Sequence, residues 1–214
     1  MGQRGRVTRM NRFPAMLLLG PTGAGKTPLG ACLEAHGWQG QRCAHFDFGE
    51  QLRRIAAGQW KPARLSPADT AFIRGVLERG ALLEDEHFYI AREILVAFTA
   101  EKQLQPRDWI ILNGLPRHAG QARKMSAWVD MRLIVRLTCT PQTVYERIRQ
   151  NTGGDRTGRT DDTLDAATRK IQIFSQRTIP LLDHYRRNGI ELAEVEVTAA
   201  TQAEDLLAQL LKRP

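Results

Sequence analysis

No apolar run in the sequence approaches the roughly 20 residues that a membrane-spanning helix needs, so no membrane segment is expected. Cysteine is scarce. Cys32, Cys43 and Cys139 stand far apart with no Cys-x-x-Cys spacing, which argues against a disulfide framework and a thiolate zinc site. The five histidines, His36, His45, His87, His118 and His184, show no metal-ligand spacing either. The start, MGQRGRVTRMNRF, carries four arginines and no acid but lacks the apolar stretch and small-residue cleavage site of a secretory signal. The matching expectations are a disordered basic arm over residues 1–13, a reducing cytoplasmic setting and a monomer. No internal repeat or low-complexity block is present.

What is there is the composition of an ordinary globular protein, 42% apolar and 25% charged. A chain of 214 residues buries one substantial core, so residues 14–214 are expected to form one domain. The net charge of +8 invites a nucleic-acid reading, but Arg4, Arg6, Arg9 and Arg12 of the arm supply four of those charges and leave +4 for the body. That surplus suits a cleft for two phosphorylated substrates as well as a duplex-binding face, so charge alone does not decide. Trp38, Trp60, Trp109 and Trp128 are scattered and read as packing residues.

Short apolar runs alternate with stretches of helical period. Strands are expected at 15–19, 43–48, 109–113, 132–138 and 190–197, mostly continuous apolar runs of the kind buried in parallel sheets. Between them lie helices with readable ends: Ser66 as N-cap, Pro67 at N1 and Gly80 as the stop; a helix from about Asp85 to Lys102; one opening at Thr140 and Pro141; and a last one with a Thr201–Glu204 capping box. The fold class is therefore α/β, a doubly wound five-stranded parallel sheet flanked by helices. Residues 151–162, NTGGDRTGRTDD, break the pattern and read as a mobile lid.

The strongest motif is GPTGAGKT, Gly20 to Thr27, which matches G-x-x-x-x-G-K-[ST] between a strand and a helix. In such a P-loop, backbone N–H groups of Gly20, Thr22, Gly23, Ala24 and Gly25 wrap a phosphate at a helix N-terminus. Lys26 reaches the β- and γ-phosphates, and the Thr27 hydroxyl can ligate Mg²⁺.

Further segments resemble the adenylate kinase and nucleoside monophosphate kinase family. FDFGEQLRR at 46–54 is similar to S-T-G-D-x-L-R, RGALLEDE at 79–86 to G-x-L-V-x-D-E, and NGLPRHAGQA at 113–122 to D-G-F-P-R-x-x-x-Q-A. YERIRQ, GRTDD at 158–162 and IPLLDHY at 179–185 resemble the family's later segments, in its short-lid form and in its order. The resemblance implies ATP as donor with Mg²⁺, a nucleoside monophosphate acceptor with AMP favoured, and an acceptor-binding helical segment over about residues 46–103. It implies acceptor contacts from Phe48, Arg53, Leu83, Gly114, Arg117 and Gln121, with Gln121 reading adenine through its amide. Arg147 would pack on the ATP base. Lys26, Arg117, Arg159 and Lys170 would be catalytic cations, and Thr27 with Asn113, through water, would hold the metal. Phosphoryl transfer between two anions calls for positioning and spread positive charge rather than a covalent nucleophile, which fits such a set.

The chain departs from that pattern in places. Thr22 replaces a P-loop proline, and the hydroxyl of Thr27 directly follows Lys26. Asn113 stands where the family has an aspartate, so either metal affinity and turnover fall or another carboxylate such as Glu50 takes part. Phe48 stands where a threonine contacts the acceptor base. Asn151 stands where a lid arginine is usual, with Arg156 open as a substitute, and Lys170 occupies a catalytic arginine's place. Two other readings remain. One is a nucleic-acid-modifying enzyme, since the P-loop also resembles that of tRNA prenyltransferases; the other is a nucleotide-binding regulator with weak catalysis. The acceptor-side segments favour small-molecule nucleotides over nucleic acid as partners.

Overall fold

The computed structural model describes residues 12–155 and 164–212, with side chains for all of these except 164–167. Five parallel strands form one sheet: β1 (Phe13–Leu19), β2 (Cys43–Asp47), β3 (Trp109–Asn113), β4 (Val129–Thr138) and β5 (Glu191–Glu196), in the order β2-β3-β1-β4-β5. Each lies where the apolar runs place it; β1 and β4 begin earlier than their apolar runs because Phe13 pairs with Val129 at the start of their ladder.

The helices among the described residues are α1 (Lys26–His36), α2 (Phe48–Ala56), α3 (Pro67–Arg79), α4 (Phe88–Glu101), α5 (Ala119–Met125), α6 (Pro141–Gln150), α7 (Leu164–Ile173), α8 (Pro180–Arg187) and α9 (Ala203–Leu211). The start of α3 is closed reciprocally: the Asp69 N–H donates to Ser66 Oγ at 3.1 Å and the Ser66 N–H to Asp69 Oδ2 at 2.8 Å. Thr140 caps α6 by accepting from the Thr143 N–H at 3.1 Å.

Two expected helix starts move. The box at the last helix shifts by one residue, with Asp205 accepting from the Gln202 N–H at 2.9 Å. Thr201 is not free to cap, because its hydroxyl accepts from the Thr198 N–H at 2.9 Å and closes the preceding turn. The helix expected from Asp85 opens with a single 3₁₀ turn, Asp85–His87, closed by the His87 N–H on the Glu84 carbonyl, and becomes α-helical only at Phe88. A π-helical turn, Phe174–Thr178, separates α7 from α8; Pro180 has no N–H with which to continue a regular ladder.

Alternate residues of β1 feed two cores. Ala15, Leu17 and Leu19 pack with Ile90, Ile94 and Phe98 of α4 and Leu181 of α8. Met16 and Leu18 pack on the opposite face with Leu29 and Leu33 of α1 and Leu206 and Leu210 of α9. Both faces are covered at the centre of the sheet, so β1 and β3 are nearly continuous apolar runs, whereas the edge strand β5 alternates exposed glutamates with buried apolar residues. Each such buried side chain contributes roughly 1.5–3 kcal/mol before chain entropy is set against it. Of the four tryptophans, Trp38 is buried and the others are half-buried against these cores. From central β1 the chain runs out to β2, returns through β3, then crosses to β4 and β5. That reversal leaves a crevice at the carboxyl ends of β1, β2 and β3.

Candidate active site

The loop from Gly20 to Gly25 leaves β1 and enters α1 with Gly23 at φ 79° and Gly25 at φ 93°. Both lie in the left-handed region, where a side chain is strained and glycine is not. Gly25 is the N-cap, no side chain caps α1 and no acid lies in its first turn, so its leading N–H groups are left for an anion. Lys26 folds back over the loop, and its Nζ donates to the carbonyls of Gly20 at 2.8 Å and Pro21 at 2.7 Å. These bonds hold the ammonium at the mouth of the loop.

The loop is one end of a cleft of about 220 Å³ that most of the residues singled out in the sequence line. Gly20, Thr22, Gly23, Gly25, Lys26 and Thr27 line the P-loop end. Phe48, Arg53, Leu83, Asn113, Gly114, Arg117, Gln121 and Lys170 line the rest of the cleft. Ala24 does not line it: its methyl is fully buried in the α1 core. Arg159, Arg156 and most of the lid lie outside the described residues. Asn151 ends α6 at φ 49°, a left-handed helix cap that asparagine adopts with less strain than the arginine it replaces.

Four described cations, Lys26, Arg53, Arg117 and Lys170, line the cleft against two carboxylates, Asp47 and Asp155, so the cleft favours anions. Arg53 is paired with Glu50 at 2.9 Å. Arg117 differs: among the described residues no carboxylate or other acceptor meets its guanidinium, and burial pulls its pKa below the ordinary arginine value. Its own backbone N–H donates to Gln121 Oε1 at 2.8 Å.

Three expectations change at this site. Gln121 is 1% exposed, and both ends of its amide are used, Oε1 by Arg117 N–H and Nε2 by the Leu83 carbonyl at 2.6 Å. It ties the turn at 83 to the loop at 117 instead of holding an open edge toward adenine. Arg147 is 3% exposed and absent from the cleft lining. Its Nε donates to the Gly23 carbonyl at 2.9 Å and its Nη1 to those of Thr198 at 2.9 Å and Thr201 at 2.7 Å. A guanidinium so engaged is a bolt between the P-loop and the turn before α9, not a platform facing a base. Glu50, taken up by Arg53 and half exposed, lines no part of the cleft and does not replace the missing carboxylate at position 113.

Asp47 and Thr178 are among the lining residues not singled out in the sequence. Asp47 ends β2, where a carboxylate at the carboxyl edge of a buried strand is a readable sign of a site. Thr178 lies in the π-helical turn, is 2% exposed and has a buried hydroxyl with no hydrogen-bond partner among the described residues; no pattern in the sequence marks it. No family model matches the chain. Curated relatives do: it is 28% identical over 188 residues to an adenylate kinase of Prochlorococcus marinus, across 82% of this chain and 86% of the relative. It is 29% identical over 191 residues to an adenylate kinase of Stenotrophomonas maltophilia, across 85% and 89%, and 25% identical over 200 residues to one of Haloarcula marismortui, across 80% and 84%.

Over most of its length the chain is similar to adenylate kinases. The likeness supports an enzyme of the nucleoside monophosphate kinase kind, and the five-stranded parallel sheet flanked by helices agrees with a P-loop kinase fold. Of the positions in this chain that depart from the family pattern, Phe48 follows the end of β2 and Asn113 ends β3, where it donates to Thr27.

Proposed function

We propose that the chain moves the γ-phosphoryl group of Mg²⁺-bound ATP onto AMP, so that one ATP and one AMP become two ADP, and that it does so in the cytoplasm. The observation that carries the reading is Arg117: a half-buried guanidinium that meets no carboxylate among the described residues, in one cleft with a P-loop. Taking a cation partly out of water costs free energy unless an anion meets it, so a site that keeps one unpaired is shaped for an anionic ligand. A second phosphate, across the cleft from the P-loop, is that ligand.

The N–H groups of the loop and Lys26 hold the donor phosphates, Arg53 and Arg117 hold the acceptor phosphate, and Phe48, Gly114 and Leu83 border its base. Lys170, and Arg159 from the lid, add positive charge where the transferred group carries it. The acceptor phosphate is already ionised, so no side chain has to remove a proton from it. The Thr27 hydroxyl and the Asp47 carboxylate, 2.7 Å apart, are hard oxygen donors of the kind that suit Mg²⁺. The ion, when bound, neutralises charge on the β- and γ-oxygens. Among the described residues, no group of three or more His, Cys, Asp or Glu is placed to hold a metal ion. No described helix is long and apolar enough to cross a membrane.

AMP is preferred because the relatives are named adenylate kinases and because the apolar acceptor end takes a flat base. A free Gln121 amide is not part of the argument. A coupled assay of ADP formation with ATP, Mg²⁺ and each of AMP, CMP, UMP, GMP and dAMP tests the reading. AMP is expected to stimulate most. Stimulation by none of the five overturns the kinase reading, and preference for another overturns AMP alone.

A further inference from the structure

We propose that Asp47 is the positioning carboxylate for the divalent cation of the bound nucleotide, acting through Thr27, with Asn113 as the donor that holds it in place. The inference rests on the proposed ATP site and assigns the charge that the sequence pattern left missing.

Asp47 and Asn113 are register partners at the ends of the adjacent parallel strands β2 and β3. Their side chains meet over the P-loop threonine: Asn113 Nδ2 donates to Asp47 Oδ2 at 2.8 Å and to Thr27 Oγ1 at 3.1 Å, and Thr27 Oγ1 donates to Asp47 Oδ2 at 2.7 Å. Thr27 therefore gives its proton to Asp47, takes the Asn113 N–H on one lone pair and keeps the other for a cation. The amide of Asn113 is 4% exposed, neutral and turned so that its N–H₂ faces both oxygens. It supplies hydrogen bonds and no charge.

Asp47 is fixed from its other oxygen as well, since Oδ1 accepts from the Glu50 N–H at 3.0 Å as the N-cap of α2. A carboxylate held at three points needs little ordering when an ion arrives. Neighbouring strands are about 4.8 Å apart, so moving the charge from β3 to β2 on one rung of the ladder keeps it beside Thr27. Mg²⁺ asks the protein for one or two carboxylates and takes the rest of its shell from phosphate and water. Asp155 is the other described carboxylate that lines the cleft, on the turn after α6, and it is the rival for the role.

The test measures, by calorimetry, the affinity for the β,γ-imido analogue of ATP in EDTA and with Mn²⁺; the ratio reports the metal's contribution. Asp47→Asn loses the charge and keeps the N-cap through its amide oxygen, while its Nδ2 donates to Thr27 Oγ1 and no longer accepts from Asn113. It is expected to lower the ratio about 10- to 100-fold while the affinity in EDTA stays level or rises. The exchange variant Asp47→Asn with Asn113→Asp returns the charge to the other strand and is expected to restore the ratio. Asn113→Ala, which leaves Asp47 charged, is expected to lower it less than Asp47→Asn.

A ratio unchanged in Asp47→Asn overturns the proposal, as does a larger fall in Asp155→Asn, or no restoration in an exchange variant that melts like the wild type. If the exchange variant does not fold, the order of Asp47→Asn and Asn113→Ala decides, and the reverse order overturns it. A wild type that binds no nucleotide with Mn²⁺ overturns both this proposal and the ATP site, whereas a wild type that binds it and an Asp47→Asn protein that binds it equally overturns this one alone.

Discussion

Replacing Arg147 by methionine separates a bolt from a base platform. The guanidinium makes three hydrogen bonds of 2.7–2.9 Å to the carbonyls of Gly23, Thr198 and Thr201, and a fourth, at 3.5 Å, to Ala199. A hydrogen bond to a charged group is worth about 1.5–3 kcal/mol net, and bonds from one group are not additive, so the set is worth about 3–5 kcal/mol. Methionine fills most of the vacated volume, which keeps the cavity cost small, but it offers the carbonyls no donor. In a chain of this size 1 kcal/mol moves Tm by about 2–4 °C, so Arg147→Met is expected to lower Tm by roughly 6–20 °C. Urea midpoints and melts, read beside the KM for ATP, check this. An unchanged midpoint with a raised ATP KM would refute the bolt and return Arg147 to the nucleotide base.

Arg117→Ala is expected to raise the AMP KM about 10- to 100-fold and lower kcat while ATP affinity holds, and lysine to rescue only in part, because it lacks the planar fork. Unchanged AMP kinetics in a folded variant would remove the main support for the acceptor site. Gly30→Ala sets a Cβ 2.3 Å from the imidazole of His45, and overpacking against a buried ring is expected to cost about 1–3 kcal/mol in a urea titration. His45 is held below its ordinary pKa of 6.5, chiefly by burial, against the opposing pull of Asp47 and Glu34. Its neutral form belongs to the fold, and the unfolded chain takes up the proton first, so its contribution is complete above about pH 6.5 and is lost as the pH falls below that. His184 shifts in the same direction. Urea midpoints from pH 7.5 to 5.5 should fall, and fall less in His45→Gln; an equal fall in both would refute the assignment.

The P-loop was legible because every part of it is local. Three glycines, a lysine and two threonines lie within eight residues, and the strand before and the helix after carry their own periodicity. The start of α3 was legible for the same reason, since Ser66 and Asp69 satisfy each other's N–H groups three residues apart. The later box was misplaced by one residue because a distant term decided it: the Thr198–Thr201 turn, whose carbonyls Arg147 holds from α6, had already taken the threonine hydroxyl.

Arg147 and Gln121 show the same limit at the site. Their positions within YERIRQ and NGLPRHAGQA resemble ligand-binding positions, but whether a guanidinium or an amide faces a ligand depends on which carbonyls fold against it. Those belong to Gly23 and Thr201 for one and Leu83 for the other, 124, 54 and 38 residues away in the chain.

The sequence by itself determined the α/β order, the five strands and the phosphate loop, because each follows from periodicity or from neighbours within a few residues; the cleft residues beyond the loop were named from the resemblance to the kinase family. Only the tertiary structure decided where the charge beside Thr27 comes from. Asn113 alone reads as a lost aspartate, and Asp47 alone reads as the last residue of a buried strand. The parallel register of β2 and β3 brings them to one rung, 66 residues apart, and a hydrogen bond of 2.8 Å between them is a property of that register and of neither segment.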